Sequence, residues 1–140
     1  MAFDLFINFD GECREAAEFY ARVFKSEIQG LMTYADAPPC PGYETSEADK
    51  SRVMYCCVPI AGCNVMLSDC PSGSDYVKGN NICPTIGLKD AVEIRRLFGE
   101  LKEGGEEDMP LNKTFWSELF GMVTDKYGIT WQLCHVSADQ

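Results

Sequence analysis

The chain has 140 residues, of which 46% are hydrophobic and 24% are charged, and its formal net charge is −10. This composition is typical of a globular protein, and a chain of this length buries about two-thirds of its unfolded surface. The acidic excess argues against a nucleic-acid partner, because phosphate binding depends on clustered Lys and Arg. The apolar stretches are interrupted by Pro and Gly, so we expect no membrane partner, and without a signal-like segment we expect a cytoplasmic protein.

Eight cysteines are many for this length. A disulfide framework is one explanation, and reduced thiols packed as small apolar residues are the other. Cys56 and Cys57 are neighbours that point to opposite faces of a strand, which favours reduced thiols. The same alternation separates Cys134 from the only histidine, His135, so we predict neither a zinc site nor a thiolate–imidazole pair there.

The first half of the chain has the pattern of one strand, one helix and three further strands. Leu5, Ile7 and Phe9 alternate with polar residues, and an apolar stripe at helical spacing follows. The predicted elements are a strand at 3–9, a helix at 12–24, a strand at 27–34, and a hairpin of strands at 53–60 and 64–69.

A long irregular segment at 35–52 interrupts this half and contains Pro38, Pro39 and Pro41. Loops of this length in a small domain are usually functional or disordered. Three interpretations stay open, namely a lid over a pocket, a flap against a partner chain, and a solvated insertion.

After a linker at 70–81 the same order of elements begins again. A strand at 82–88 precedes a helix that ends at Gly104-Gly105. A short strand and a closing hairpin follow, and the hairpin turn lies at 125–128, where Asp can bond the backbone and Gly can take a positive φ.

The repeated order predicts an α+β fold in a single domain of residues 1–140. Two βαβββ modules, at about 3–69 and 82–136, would form a curled, cleft-enclosing mixed sheet with helices on its outer face.

Several motifs are similar to those of a known superfamily. They are Phe19-Tyr20, Asn-Phe-Asp-Gly-Glu-Cys at 8–13, Met-Leu-Ser-Asp at 66–69, Met-Pro-Leu-Asn-Lys-Thr-Phe-Trp at 109–116, and Asp-Lys-Tyr-Gly at 125–128 followed by Trp131-Gln132-Leu133. Over nearly its whole length the chain resembles the vicinal oxygen chelate superfamily of glyoxalase I, extradiol dioxygenases and bleomycin- and fosfomycin-resistance proteins. Within it, the chain resembles the PhnB-like group. The resemblance also implies a homodimer.

Metal-using members of that superfamily hold a divalent ion with His, Glu or Gln at four inward strand positions. Carried onto this sequence, those positions fall at Leu5, Met66, Cys83 and Gln132. Leu5 has no lone pair, and the Met66 thioether is a weak ligand for hard ions. We therefore predict no metal centre and no other cofactor.

The same positions predict a mostly apolar cleft with a few amide and hydroxyl groups. If Leu5 faces the cleft, strand alternation brings Ile7 with it, Ser68 with Met66, and Thr85 with Cys83. Such a cleft suits a small-molecule ligand. The predicted ligand-binding residues are Leu5, Ile7, Met66, Ser68, Cys83, Thr85, Trp116 and Gln132.

The sequence leaves the function open between two main hypotheses, and it identifies no catalytic residue. The first is a protein that binds a small organic ligand without a metal. The second is a metal-dependent lyase, isomerase or dioxygenase of glyoxalase type, with a rearranged or inter-chain site. A simpler alternative is that these side chains only fill space. Related proteins are sometimes labelled demethylubiquinone methyltransferases, but no Gly-x-Gly-x-x-Gly turn follows a strand, so we expect no S-adenosylmethionine binding.

Overall fold

A computed structural model describes residues 1–42 and 44–137, and the chain divides into two compact units, Met1–Val77 and Lys78–Gln140. In the described residues each unit contains one α-helix and one four-stranded mixed sheet, with the same order of elements. The predicted α+β class with two βαβββ modules is therefore confirmed. The enclosure of a cleft stays a prediction.

The first unit has one parallel and two antiparallel strand pairs. The elements are β1 (Leu5–Phe9), α1 (Cys13–Val23), β2 (Gln29–Thr33), β3 (Val53–Ile60) and β4 (Cys63–Asp69). The strand order in its sheet is β1-β4-β3-β2, with β1 parallel to β4 and the other pairs antiparallel. The irregular segment at 35–52 contains short 3₁₀ turns and includes Tyr43, which lies outside the described residues.

Helix α1 covers one face of this sheet. Cys13 Sγ at the start of α1 lies 4.0 Å from Cys56 Sγ on β3. Cys56 is opposite Leu67 on β4, and Leu67 is beside Ile7 on β1. All four residues are buried, so this face forms the apolar core that stabilises the unit.

The buried carboxylate of Asp69 joins separate segments of the first unit. Its Oδ1 accepts hydrogen bonds from Gly11 N at 2.8 Å and Cys13 N at 3.0 Å. Its Oδ2 accepts one from Val53 N at 3.0 Å, and its backbone carbonyl accepts one from the Tyr34 hydroxyl at 2.6 Å. One side chain thereby fixes the end of β4, the turn before α1 and the start of β3.

The second unit repeats this topology. Its elements are β5 (Thr85–Leu88), α2 (Ala91–Lys102), β6 (Glu106–Asn112), β7 (Phe120–Thr124) and β8 (Thr130–His135). The strand order is β5-β8-β7-β6, with β5 parallel to β8. The first strand begins at Thr85 and not at residue 82, because Pro84 has no N–H to donate to a neighbouring strand.

The closing hairpin has the predicted turn. Asp125 Oδ1 accepts hydrogen bonds from Tyr127 N at 2.8 Å and Ile129 N at 3.1 Å, and Gly128 has a φ of 91°. The other oxygen of Asp125 accepts a bond from Trp131 Nε1 at 2.8 Å. Asp125 is buried, so these bonds tie the turn to the core side of β8.

The eight cysteines are free thiols. Within residues 1–42 and 44–137, no helix has both the length and the apolar character needed to cross a membrane.

Replacement of Asp69 by Ala should destabilise the protein strongly. It leaves three backbone N–H groups without their acceptor, and we expect the free energy of unfolding to fall by about 4 kcal/mol. Urea denaturation followed by circular dichroism measures this. Asp75→Ala is the matched control, because Asp75 is exposed. Equal effects of the two substitutions would contradict the role of Asp69.

Two glycines of the second unit should respond oppositely to Ala. A Cβ on Gly105 would lie 2.1 Å from Thr124 O, so Gly105→Ala must displace backbone and should destabilise the fold. A Cβ on Gly99 in α2 meets nothing within 4 Å, so Gly99→Ala should stabilise the helix by about 1 kcal/mol. Thermal unfolding of both variants distinguishes the two effects, and a stabilised Gly105→Ala would show that this contact is absent.

Candidate functional site

The register of β1 against β4 decides which side chains face away from α1. Phe6 lies beside Met66 in this parallel pair. Paired residues on neighbouring strands point to the same side, so Met66 and Ser68 lie on the face opposite α1. Leu5 and Ile7, on either side of Phe6, point to the α1 face. The prediction that they share a face with Met66 is therefore wrong, because a shift of one residue in register exchanges the two faces of a strand.

A cavity of about 290 Å³ opens on the face of the first sheet that α1 does not cover. Met66 and Cys57, which are paired across β3 and β4, both line it. Polar groups of Asp4 and Asn64 also line the cavity. Asn64 N donates to Asp4 Oδ1 at 3.1 Å, and Cys57 Sγ lies 3.9 Å from Asn64 Oδ1. The remaining lining residues are Gln29, Gly30 and Tyr55.

Cys57 in this cavity is a poor nucleophile. Burial raises the pKa of its thiol above the ordinary value of 9.0. Because the thiolate is the nucleophilic form, Cys57 stays protonated and unreactive at neutral pH. It contributes an apolar wall and a weak hydrogen-bond donor.

In the second unit, two predicted ligand-binding residues form a hydrogen-bonded pair. Thr85 on β5 is beside Gln132 on β8, and Thr85 Oγ1 donates to Gln132 Oε1 at 3.2 Å. Thr85 Oγ1 also lies 3.3 Å from Cys83 O, which places Cys83 just before the strand. Met122 lies opposite Gln132 on β7 and adds an apolar side chain to this face.

Trp116 borders the same face of the second sheet. Its ring lies edge-on to Phe120, with the centroids 5.3 Å apart. Phe120 is opposite Cys134, two residues beyond Gln132, so alternation puts Phe120 and Gln132 on one side. Trp116 is 50% exposed, so part of its aromatic surface is open to solvent.

Of the predicted ligand-binding residues, the structure brings Met66 and Ser68 to one face in the first unit, and Thr85, Gln132 and Trp116 to one face in the second. Ser68 is buried and does not line the cavity. The prediction omitted Tyr55 and Met122. Both could have been found by counting, since Tyr55 is two residues from Cys57 and the hairpin turn sets Met122 opposite Gln132.

This chain is similar to known proteins in both sequence and fold. The sequence profile of the 3-demethylubiquinone-9 3-methyltransferase family matches residues 2–134. The solved structure of protein PA1353 from Pseudomonas aeruginosa is 27% identical, with a TM-score of 0.87 over 96% of this chain and 97% of that one. Protein YjdN of Escherichia coli K12 is 28% identical over 137 residues, which are 91% of this chain and 90% of YjdN.

A PhnB protein from Bacillus cereus, described as a putative 3-demethylubiquinone-9 3-methyltransferase, shares the fold at 24% identity, with a TM-score of 0.79 over 97% of this chain and all of that one. The fold recurs in more distant fosfomycin-resistance and glyoxalase/bleomycin-resistance proteins. The two βαβββ modules thus have the fold of the vicinal oxygen chelate superfamily. The chain belongs to the PhnB-like 3-demethylubiquinone-9 3-methyltransferase family.

The side chains at the superfamily's metal positions do not fit a divalent ion. Leu5 points to the α1 face, and Phe6, which takes its place beside Met66, has no lone pair. The Oε1 of Gln132 already accepts the Thr85 hydroxyl. In the part of the chain that the structure describes, no three His, Cys, Asp or Glu side chains are grouped to hold a metal.

The backbone around Gly104 and Gly105 also does not form the glycine-rich turn that would bind S-adenosylmethionine. Gly104 and Gly105 follow α2, and the space at Gly105 is filled by Thr124 O. The residue that opens α2 is Asp90, whose carboxylate accepts bonds from the backbone N–H groups of Val92 and Glu93. The methionine carboxylate of that cofactor would meet this negative charge in place of free N–H donors.

Proposed function

We propose that this protein binds small, flat organic molecules on the face of each sheet that its helix leaves uncovered, without the divalent metal of the wider superfamily. The cavity beside Met66 is the observation that supports this most strongly, because it combines apolar walls with amide and carboxylate groups. In such sites apolar burial supplies affinity and the polar groups set orientation.

The second sheet supports the same class of ligand. Trp116 and Phe120 offer aromatic surface, and the Gln132 amide beside Thr85 offers one hydrogen-bonding group. A neutral aromatic amide matches both features, since its ring can stack and its amide can pair with that of Gln132. We further propose a homodimer, as the family resemblance implies. The fully exposed Phe115 ring is consistent with burial against a second chain.

Benzamide is a suitable probe for this site. In the purified protein it should shift the backbone amide resonances of Thr85 and Gln132, with an affinity measurable by NMR titration. Gln132→Leu keeps the size of the side chain and removes its amide, so the dissociation constant should rise about fivefold. Asn80→Leu, on an exposed loop, is the control and should leave binding unchanged. Shifts at neither uncovered sheet face would sink the proposal, as would shifts at Thr85 and Gln132 with equal affinities in all three proteins.

Metal content separates this function from the alternative of a glyoxalase-type enzyme. Protein purified without chelator should contain less than a stoichiometric amount of any divalent ion, and treatment with EDTA should leave benzamide binding unchanged, because Leu5 and Met66 are unsuited to hard ions. Mass spectrometric metal analysis measures this. One tightly held ion per chain that is lost in Gln132→Leu or Cys83→Ser would favour a metal-dependent lyase, isomerase or dioxygenase.

A further inference from the structure

Two buried thiols face each other where α1 meets the first sheet. Cys13 is the first residue of α1 and Cys56 lies on β3, and their sulfur atoms are 4.0 Å apart. Both are free thiols, and both residues are fully buried. At this distance the sulfur atoms are in van der Waals contact, so small rotations about the two Cα–Cβ bonds can bring them to bonding distance.

The contact makes the two thiols chemically unequal. When Cys56 ionises, the Cys13 S–H can donate to its sulfur, and this hydrogen bond lowers the pKa of Cys56 below the ordinary value of 9.0. The same hydrogen bond and burial raise the pKa of Cys13. Because the thiolate is the nucleophilic form, Cys56 is the attacking sulfur of the pair. Cys13 stands beside it as a protonated thiol, in the position of a resolving cysteine.

The location of Cys13 at a helix end gives a small oxidant its route to the pair. Helix ends open locally at a lower free energy than the whole fold. The residue two positions before Cys13 is Gly11, which is exposed. Opening of the first turn of α1 therefore uncovers the Cys13 sulfur and the Cys56 sulfur that it contacts. A hydroperoxide such as hydrogen peroxide is small enough to use this opening.

We propose that Cys13 and Cys56 form a modification site, at which a hydroperoxide converts the two thiols to a disulfide bond that fastens the start of α1 to β3. This inference goes beyond the proposed function. The pair lies on the α1 side of the sheet, whereas the cavity beside Met66 opens on the other face.

The reaction has two steps. The Cys56 thiolate attacks one oxygen of the hydroperoxide, the O–O bond breaks, and the other oxygen takes up a proton and leaves as water or an alcohol. Cys56 is then a sulfenic acid. The Cys13 sulfur attacks the Cys56 sulfur, the S–O bond breaks, and the hydroxyl group leaves with the Cys13 proton as water. Two thiols are oxidised to one disulfide, and one hydroperoxide is reduced.

The bond would join positions that are 43 residues apart in the sequence. The loop that it closes contains β2 and the irregular segment at 35–52. A crosslink across a loop of this length stabilises a protein mainly by restricting its unfolded chain. The bond would also act at a junction that the fold already holds, because Cys13 N donates to Asp69 Oδ1 at 3.0 Å. Oxidation here should therefore stabilise the first unit.

Peptide mapping of the unmodified protein tests this. Native protein is treated with hydrogen peroxide, its remaining thiols are blocked with iodoacetamide, and it is digested without reductant. Mass spectrometry should find peptides linked through Cys13 and Cys56, and the melting temperature should rise by about 5 to 10 °C. Dithiothreitol should reverse both changes. Absence of the linked peptides while the exposed Cys40 is oxidised would overturn the proposal, and so would linked peptides without the rise in melting temperature.

Two neighbouring cysteines on β3 make the test specific. Cys56→Ala keeps a small apolar residue in the core and removes one sulfur, so peroxide should give neither the linked peptides nor the rise in melting temperature. Cys57→Ala is the matched control, since Cys57 points to the opposite face, and it should retain both. A rise that persists in Cys56→Ala, or that is lost in both variants, would contradict the assignment. Because the peptide map uses the unmodified protein, it decides the proposal whether or not Cys56→Ala folds.

Discussion

The Asp69 carboxylate accepts backbone hydrogen bonds from segments that are far apart in the first module, and the shape of that module depends on it. It fixes where β4 ends, how the chain turns into α1 and where β3 begins. Asp125 has a related role in the second module, where one carboxylate closes the hairpin turn and holds the Trp131 indole. Both carboxylates are buried and fully used by the fold, so neither is available for chemistry on a ligand.

The second module is the part that sequence patterns described best. Its hairpin turn is local, because Asp125 and Gly128 determine it within four residues. From that turn the pairing of β7 with β8 follows by counting, which places Gln132 on a defined face. The family motifs extended the prediction to Thr85 and Trp116, and the structure brings both to that face.

The first module was harder to predict because its key pairing is not local. β1 is beside β4, with sixty residues between paired positions, and the alternation of Leu5, Phe6 and Ile7 is equally compatible with either face. Only the position of α1, seen in the contact of Cys13 with Cys56, decides between them. The partner of Asp49 was beyond sequence reasoning for a similar reason, because the backbone N–H that its side chain accepts belongs to Ser72, 23 residues later.

The separation of the two faces of each sheet has an evolutionary consequence. Side chains on the helix-covered face hold the fold, whereas those on the opposite face can change with little loss of packing. Specificity for a ligand can therefore drift while the scaffold is conserved. This division also means that proteins of this fold can differ in ligand, and in whether they use a metal, through a handful of substitutions on one surface.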